Sequence, residues 1–368
     1  MMDPPIHQEL SILVQLIDQH QLEAIWQRCQ TILDVRSPGE FEIDHMPGAI
    51  NMPALTNIER ETVGTLYRSN PFKARKIGAV YVLRKIEDFI ASPMIQEANE
   101  SHAFLLYCAR GGQRSDSLAT VLREIGFPVF RLTGGYKTYR AYVRARLEQP
   151  LPKPVIVLHG FSGSRKTHLI QTLGHVANTL DLEDAAAHRG SVLGDFPNRS
   201  QPSQKAFETR LISDLRVFRP SLPTLIEGES RAIGSLRIPT PLWNQIQEGE
   251  KIWLDLPKAL RQKHILDDYC ELKQSEFLSP KLAKLKPYLS RTIFEEIKSA
   301  ISDSNWEKAV DLLLTYHYDP LYDRAKKRGG FQIIQANTME EAHDRIRRLL
   351  AKNTSHETQG QGLLSTRG

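Results

Sequence analysis

The chain has 368 residues, of which 40% are hydrophobic and 25% charged. That is ordinary for a globular protein and long enough for two domains of about 100 to 200 residues each. No apolar run reaches the roughly 18 residues of a membrane span. Met1-Met2-Asp3-Pro4-Pro5 also lacks the basic-then-apolar pattern of a signal peptide, so a cytoplasmic protein without membrane attachment is expected. The 48 basic residues against 43 acidic ones leave +5, a surplus that permits nucleic acid without demanding it. Cys29, Cys108 and Cys270 are not spaced with one another or with histidine as a zinc site requires, which predicts no metal centre of that kind and one working thiol.

In chain order, residues 8 to 29 read as helix, with Leu10, Leu13, Leu16 and Ile17 apolar and Leu22, Ile25 and Trp26 following a break. Thr31 to Arg36 is a short strand, and Ser37-Pro38-Gly39 turns the chain. His45 to Pro53 follows as loop, strand and loop. The apolar run Ala103 to Tyr107 is a strand that leads through Cys108-Ala109-Arg110-Gly111-Gly112-Gln113-Arg114-Ser115 into a helix with Leu118, Val121, Leu122 and Ile125 at helical spacing. Strands alternating with helices predict a small α/β domain with a parallel sheet.

A two-glycine loop can turn successive backbone N–H groups inward, and the following helix adds the positive end of its dipole, so the loop forms an anion cradle around Cys108. An ordinary thiol is only about 3% thiolate at pH 7, whereas a pKa near 6 would make it roughly 90% thiolate. Cys108 is therefore the candidate nucleophile, with Arg110 and Arg114 beside it. The alternative is a buried structural cysteine at a strand end. Asp34 and Arg36 read as a pair holding their strand end, and His45 as a turn residue.

After Gly134-Gly135-Tyr136 a helix carries Arg140, Arg144 and Arg146, a solvated face or a surface for a polyanion. Pro150, Pro152 and Pro154 then break any regular element, which marks a domain boundary over residues 150–154. Val155 to His159 is an apolar strand followed directly by Gly160-Phe161-Ser162-Gly163-Ser164-Arg165-Lys166-Thr167 and a helix. Strand, glycine-rich turn and Lys-Thr at a helix N-terminus predict a phosphate-binding loop using Gly160, Ser162, Gly163, Ser164, Lys166 and Thr167. Arg165 stands where such loops usually carry glycine. It could narrow the pocket, point outward, or add charge to the bound anion, and it argues against strong ATP hydrolysis.

Thr224-Leu225-Ile226 reads as a second buried strand presenting Glu227 and Glu229 near that loop, where they could hold magnesium, orient a substrate, or pair with Arg231 or Arg189. His188 and Arg189 form a basic pair suited to a diphosphate. Lys251 to Leu256 is a third strand. From Pro257 to about Leu350 the pattern is helical and mixed in charge, with basic clusters at Arg261, Lys263 and His264 and at Lys281, Lys284 and Lys286 that read as solvated surface or as a track for a nucleic-acid backbone. Residues 351–368 read as a disordered tail.

Asp34 to Phe41, His45 to Asn51, the Cys108 loop and Gly134-Gly135-Tyr136 resemble, in order, the signposts of a rhodanese domain, whose loop cysteine carries a persulfide or its selenium analogue. Asn57 to Arg68, Asp181 to Ser191, Gln201 to Glu208, and Ile226 to Gly234 ahead of Ile238-Pro239 resemble the tRNA 2-selenouridine synthases. In that family a rhodanese domain is fused to a P-loop domain. The resemblance covers nearly all of residues 31 to 240. It implies a rhodanese-like domain at 8–149 and a P-loop NTPase-like α/β domain with a helical C-terminal part at 155–350.

For function, the resemblance implies conversion of wobble 2-thiouridine in tRNA to 2-selenouridine through an S-geranylated intermediate, with geranyl diphosphate and selenophosphate as co-substrates. No tightly bound cofactor is implied, and magnesium is an option. The implied partners are tRNA and an enzyme that produces selenophosphate. Cys108 would carry the chalcogen, Arg110 and Arg114 would stabilise the anion, the phosphate loop would bind diphosphate, and His188, Arg189, Glu227 and Glu229 would contact substrate. Three alternatives stay open: a tyrosine-phosphatase-like loop, since Cys108 to Arg114 is formally Cys-x5-Arg; a sulfurtransferase fused to a small-molecule kinase; and a non-catalytic tRNA-binding protein.

Overall fold

The computed structural model describes residues 14–191, 193–196, 198–268 and 278–361. It divides into two compact units, with the division between Arg146 and Leu147. The first unit holds a five-stranded sheet of β1 (Gln15–Ile17), β2 (Thr31–Asp34), β3 (Ala49–Asn51), β4 (Phe104–Tyr107) and β5 (Val129–Leu132), in the order β1-β5-β4-β2-β3. Every pairing is parallel, so both faces must be covered by helices, and the inner strands β2 and β4 are buried along their whole length. Each fully buried Phe or Leu of β4 contributes roughly 1.5–3 kcal/mol. Leu33, Leu106, Leu118, Leu122 and Phe127 lie in the core beneath Cys108.

The helix expected from residue 8 to 29 is not what forms. Residues 8–13 lie outside the described part, and from Gln15 the chain is the edge strand β1, paired with β5. Leu16 is exposed and Ile17 buried, an alternation the helical count of leucines conceals. Asp18 Oδ1 accepts the N–H groups of His20 and Gln21 at 2.8 and 3.0 Å, a local turn that delays the helix to Leu22–Arg28.

Polar side chains tie the strand ends together. Asp34 receives Arg36 Nε at 3.0 Å and Nη2 at 2.5 Å. Arg36 Nη2 also donates to the Asp44 carbonyl at 2.6 Å, and its guanidinium lies 3.8 Å from the Tyr136 ring centroid. The buried Asp44 carboxylate accepts the Tyr136 hydroxyl at 2.6 Å and Arg140 Nη1 at 3.3 Å. Arg140 is therefore an internal ion-pair partner, not part of a solvated face. His45 Nδ1 lies 2.8 Å from the Phe41 carbonyl, and its ring stacks on Phe41.

Between β3 and β4 the helices Asn57–Ser69 and Pro71–Ile90 form a hairpin. Thr56 and Glu59 make a reciprocal capping box at its start, while the Asn70 side chain caps the second helix ahead of Pro71.

The second unit is a parallel sheet of β6 (Val155–Gly160), β7 (Asn178–Leu180), β8 (Thr224–Glu227), β11 (Glu250–Asp255) and β12 (Gln332–Gln335), with β9 (Ala232–Ile233) and β10 (Leu236–Arg237) as a separate hairpin. The order is β12-β11-β6-β8-β7, with the phosphate loop leaving the central strand. Two of these strands, β7 and β12, are additions to the three legible in sequence. Helices Lys258–Asp268, Leu278–Leu285, Arg291–Ser302, Trp306–Leu313 and Asp319–Arg328 form the helical part. The last helix, Met339–Gln361, runs through the point where a tail was expected to begin, because Ile346 and Leu350 are buried against the sheet core. Residues 362–368 lie outside the described part.

Asp44 is the hub of the polar brace, and its loss removes the carboxylate that the Tyr136 hydroxyl and Arg140 Nη1 both reach. Asp44→Ala is expected to lower stability by about 3 kcal/mol. Denaturant unfolding of the variant checks this, and a change below about 1 kcal/mol would count against the hub role.

Candidate functional site

Two sites stand at the C-terminal ends of central strands, one in each unit. In the first, β4 delivers Cys108 to the loop, and Gly112 N–H donates to its Sγ at 3.1 Å. The thiol is 2% exposed. Burial by itself pushes its pKa up. The net shift is nonetheless downward, because the Ser115 hydroxyl, the N–H groups of Arg110 and Gly112, and the charge of Arg114 all favour the thiolate. Burial in contrast pushes Cys29 up to about 12.

The arginines divide. Arg114 Nη1 lies 3.3 Å from Glu40 Oε2, and that oxygen also lies 2.8 Å from Arg60 Nε on the helical hairpin. The Arg110 side chain is exposed, and its backbone N–H is what reaches the thiol. Ser115 was not singled out in the sequence, although a hydroxyl in the first turn of a helix behind a loop cysteine is a readable signal.

The loop is held from behind by Gly134-Gly135-Tyr136. Tyr136 N–H donates to the Cys108 carbonyl at 2.7 Å. Gly135 has φ +59, and a Cβ there would lie 2.1 Å from the same carbonyl oxygen. Gly111 has φ +66, and its Cβ would lie 2.6 Å from Gly134 N. Two strands of backbone touch here, and only glycine permits it.

In the second unit the loop after β6 curls over its own backbone, with Ser164 Oγ donating to the Phe161 carbonyl at 2.7 Å. Gly160 lies under Leu254 O and Ser164, and Gly163 has φ +81 with the Arg261 carbonyl 2.5 Å from where its Cβ would be. Arg261 Nη1 donates to the Ser162 carbonyl at 3.1 Å and its guanidinium is bidentate on Asp319 at 2.9 and 2.8 Å. His264 Nδ1 lies 2.9 Å from the Gly163 carbonyl. Arg261 and His264 are both buried and clamp the loop, so of this basic cluster only Lys263 stays exposed as surface. Lys281 is likewise buried, donating to the Asp195 carbonyl at 2.8 Å.

Arg165 takes the left-handed backbone, φ 51 and ψ 41, that explains why glycine is usual there. For a side chain this conformation costs about 1–2 kcal/mol. Its guanidinium turns to the acidic end of helix Lys258–Asp268, with Nη2 2.9 Å from Asp268 Oδ1 and 3.5 Å from Asp267 Oδ2. Those carboxylates draw its charge away from Lys166.

Lys166 sits among acids. Burial alone would lower its pKa, but Glu229, Tyr322, Glu183 and Glu227 raise it, so the ammonium is firmly protonated. Thr167 Oγ1 lies 2.5 Å from Glu227 Oε1 and 3.1 Å from Glu183 Oε2, and Glu183 N–H donates to Glu227 Oε2 at 3.0 Å. Burial raises Glu183 to about 8, reinforced by Glu229, and raises Glu229 to about 7 against the pull of Lys166. Glu227 is fully buried and pushed well up for the same reason. Gly228 separates the two acids because a Cβ there would lie 2.3 Å from His159 Nδ1. Burial, with Lys166 and Lys251, lowers that histidine to about 4, so it is neutral.

A cavity of about 670 Å³ opens from this loop. At one end lie Ser162 to Thr167, Glu183, Arg189 and Glu229. The other end is apolar, walled by Leu278, Leu282, Trp306, Val310, Leu313 and Leu314 among others. Arg189 thus lines the cavity, with its guanidinium 4.3 Å from the Phe196 ring centroid. His188 does not line it. That histidine is buried with Nε2 3.2 Å from Asp195 Oδ1, a structural placement. Glu183 and Tyr322 are site residues that the sequence reading did not select.

Among the described residues no group of three or more His, Cys, Asp or Glu side chains is arranged to hold a metal ion. Magnesium, which takes one or two carboxylates together with substrate phosphates, needs less. The Thr167 hydroxyl and the cavity-lining carboxylates of Glu183 and Glu229 are hard oxygen donors of the kind it prefers, whereas Glu227 is fully buried with both oxygens engaged. No helix of the described residues is long and apolar enough to cross a membrane.

A thiol loop in an N–H cradle and a glycine-rich lysine loop opening on a cavity, each at the end of a parallel sheet, define a two-domain α/β protein with a candidate site in each unit. A family model for the rhodanese-like domain matches residues 18–142, and one for the tRNA 2-selenouridine synthase AAA domain matches residues 153–293. The tRNA 2-selenouridine synthase of Nitrosomonas europaea is 34% identical over 65% of this chain, a match that spans 63% of the relative's own length. That of Pseudomonas fluorescens is 37% identical over 67% of this chain and 68% of the relative. That of Pseudomonas savastanoi pv. phaseolicola is 30% identical over 86% of this chain and 94% of the relative. The chain belongs to the tRNA 2-selenouridine synthase family, whose members are enzymes that modify tRNA.

Two outcomes follow from the site geometry. In a Cys270→Ser background, alkylation of Cys108 by iodoacetamide is expected to titrate below an ordinary thiol, and Ser115→Ala to move the midpoint upward. An unmoved midpoint would remove Ser115 from the cradle. Without divalent metal, affinity for inorganic diphosphate is expected to fall as pH rises through about 7 to 8. Glu229 and Glu183 lose their protons in that window, and their negative charge opposes the anion. Calorimetry should show the dependence flattened in Glu229→Gln relative to the unsubstituted protein.

Proposed function

We propose that the protein converts 2-thiouridine in tRNA to 2-selenouridine through an S-geranylated intermediate, using geranyl diphosphate and selenophosphate. The observation that carries this reading is the cavity that begins at the phosphate loop and continues into an apolar chamber. A diphosphate suits the loop's N–H groups and Lys166, and a ten-carbon hydrocarbon chain suits walls of leucine, valine and tryptophan.

In the first step the thiouridine sulfur attacks C1 of the geranyl group, diphosphate leaves, and the N3 proton of the base is lost. Lys166 and the amides of Gly163 to Thr167 receive the leaving charge. Magnesium held by Thr167 with Glu183 or Glu229 would supply further neutralisation of the diphosphate. In the second step the Cys108 thiolate attacks C2 of the base and the C2–S bond breaks, expelling the geranylthio group, a better leaving group than a bare thiocarbonyl sulfur, as geranylthiol with a proton from water. The selenium of selenophosphate then attacks C2 and expels the Cys108 thiolate, whose N–H cradle and Arg114 receive the charge, and water cleaves the Se–P bond to leave selenouridine and phosphate.

The test is nucleoside mass spectrometry of 2-thiouridine-bearing tRNA incubated with the protein and both co-substrates. Lys166→Ala is expected to abolish geranylation, and Cys108→Ser to block selenium incorporation while S-geranyl product persists. Full selenium incorporation by Cys108→Ser, with Lys166→Ala defective only after geranylation, would reverse the assignment.

A further inference from the structure

Helix Asn57–Ser69 has no buried residue. Glu59, Val63 and Leu66 face the second helix of the hairpin and are partly covered, Val63 lying 3.6 Å from where a Cβ on Gly78 would be. A neighbouring face, about 120° round the helix, carries Arg60, Gly64, Tyr67 and Arg68, which the i, i+4, i+7 and i+8 spacing puts on one exposed stripe. Gly64 has nothing within 4 Å of the place a Cβ would occupy. Glycine is unfavourable in the middle of a helix, and among the described residues no steric demand explains it. It leaves room for close approach of another molecule's backbone, between two arginines one turn to either side.

The start of the second helix adds further exposed aromatic and basic side chains across the turn. Phe72 is 67% exposed and Tyr67 51%. Lys73, Arg75 and Lys76 are exposed there, with Lys76 Nζ 4.8 Å from the Phe72 ring centroid. From residue 57 to 76 the acids are Glu59 and Glu61, and Glu59 is committed to the Thr56 N–H at 2.7 Å. Basic side chains interleaved with exposed aromatics suit a polyanion that also offers flat rings. The face is adjacent to the thiol loop, because Glu40 Oε2 joins Arg60 to Arg114, and Gly39 N–H donates to Asn57 Oδ1 at 2.9 Å.

We infer that this face docks the tRNA beside Cys108, with the phosphodiester backbone in the Gly64 notch between Arg60 and Arg68, and unpaired bases against Tyr67 and Phe72. The inference rests on the proposed tRNA substrate and adds where the RNA sits.

The full-length protein and 2-thiouridine-bearing tRNA are used, with affinity followed by fluorescence anisotropy from about 50 to 200 mM salt. The double variant Arg68→Glu, Lys76→Glu is expected to weaken binding about tenfold or more and to reduce the salt slope by about 1.4, at about 0.7 per lost phosphate contact. Gly64→Leu, which improves helix propensity and fills the notch, is expected to keep or raise Tm while weakening tRNA binding. Diphosphate affinity and the Cys108 alkylation rate should stay as in the unsubstituted protein, which separates lost docking from lost fold. Unchanged tRNA affinity and salt slope in both variants would overturn the docking face, assign it to a protein occupant, and leave the proposed function standing. Failure of the unsubstituted protein to bind tRNA at any salt would overturn both.

Discussion

The first unit depends on a contact between two pieces of backbone. The Cys108 carbonyl accepts the Tyr136 N–H at 2.7 Å, and Gly135 passes so close that a methyl group would collide with the same oxygen. With that carbonyl held from behind, the loop's own amides are left to point at the sulfur. The thiolate is favoured by geometry more than by net charge, since burial opposes ionisation and the Ser115 hydroxyl and N–H donors overcome it. The Asp44 brace serves the same end at longer range, fixing Tyr136 through its hydroxyl and Arg36 beneath its ring.

The phosphate loop meets an equivalent constraint with different chemistry. Its glycines at 160 and 163 answer to backbone from β11 and from the helix after it, while Arg165 adopts the left-handed turn without being glycine. What offsets the strain is an acidic helix end within reach of the guanidinium. The substitution is thereby made compatible with an anion site, because the extra cation is neutralised before it can compete with Lys166. Arg261 and His264, from that same helix, hold the loop's carbonyls, so one element supports the loop and quiets its unusual residue.

Local signals made the thiol loop, the phosphate loop and the glycine pair legible in the sequence. Each is a strand, a turn and a helix start within a dozen residues, where patterning and glycine chemistry act together. Long-range pairing was not legible. β12 lies more than 70 residues from β11, and Phe331-Gln332-Ile333-Ile334 shows no alternation that a helical surrounding would not also produce. β1 was hidden by leucines that happen to match helical spacing. The apolar chamber escaped because its walls come from separate helices, each amphipathic and charge-mixed when read alone. Arg261, His264 and Lys281 read as surface for the same reason, since burial of a cation depends on partners supplied from elsewhere in the chain.

The charge balance around Lys166 gives the second site its logic. Three carboxylates face one ammonium and a hydroxyl, more negative charge than a buried site holds without protons or cations. Glu183 and Glu229 respond by keeping protons near neutral pH, so the anion-binding state is the protonated one. A divalent cation would replace those protons and convert the same cluster into oxygen ligands. Either way the negative charge beside Lys166 is set in advance by protons or by a cation. The apolar side chains that line the same cavity lower the local dielectric, so each proton or cation gained there changes the charge felt at Lys166 more than it would in water.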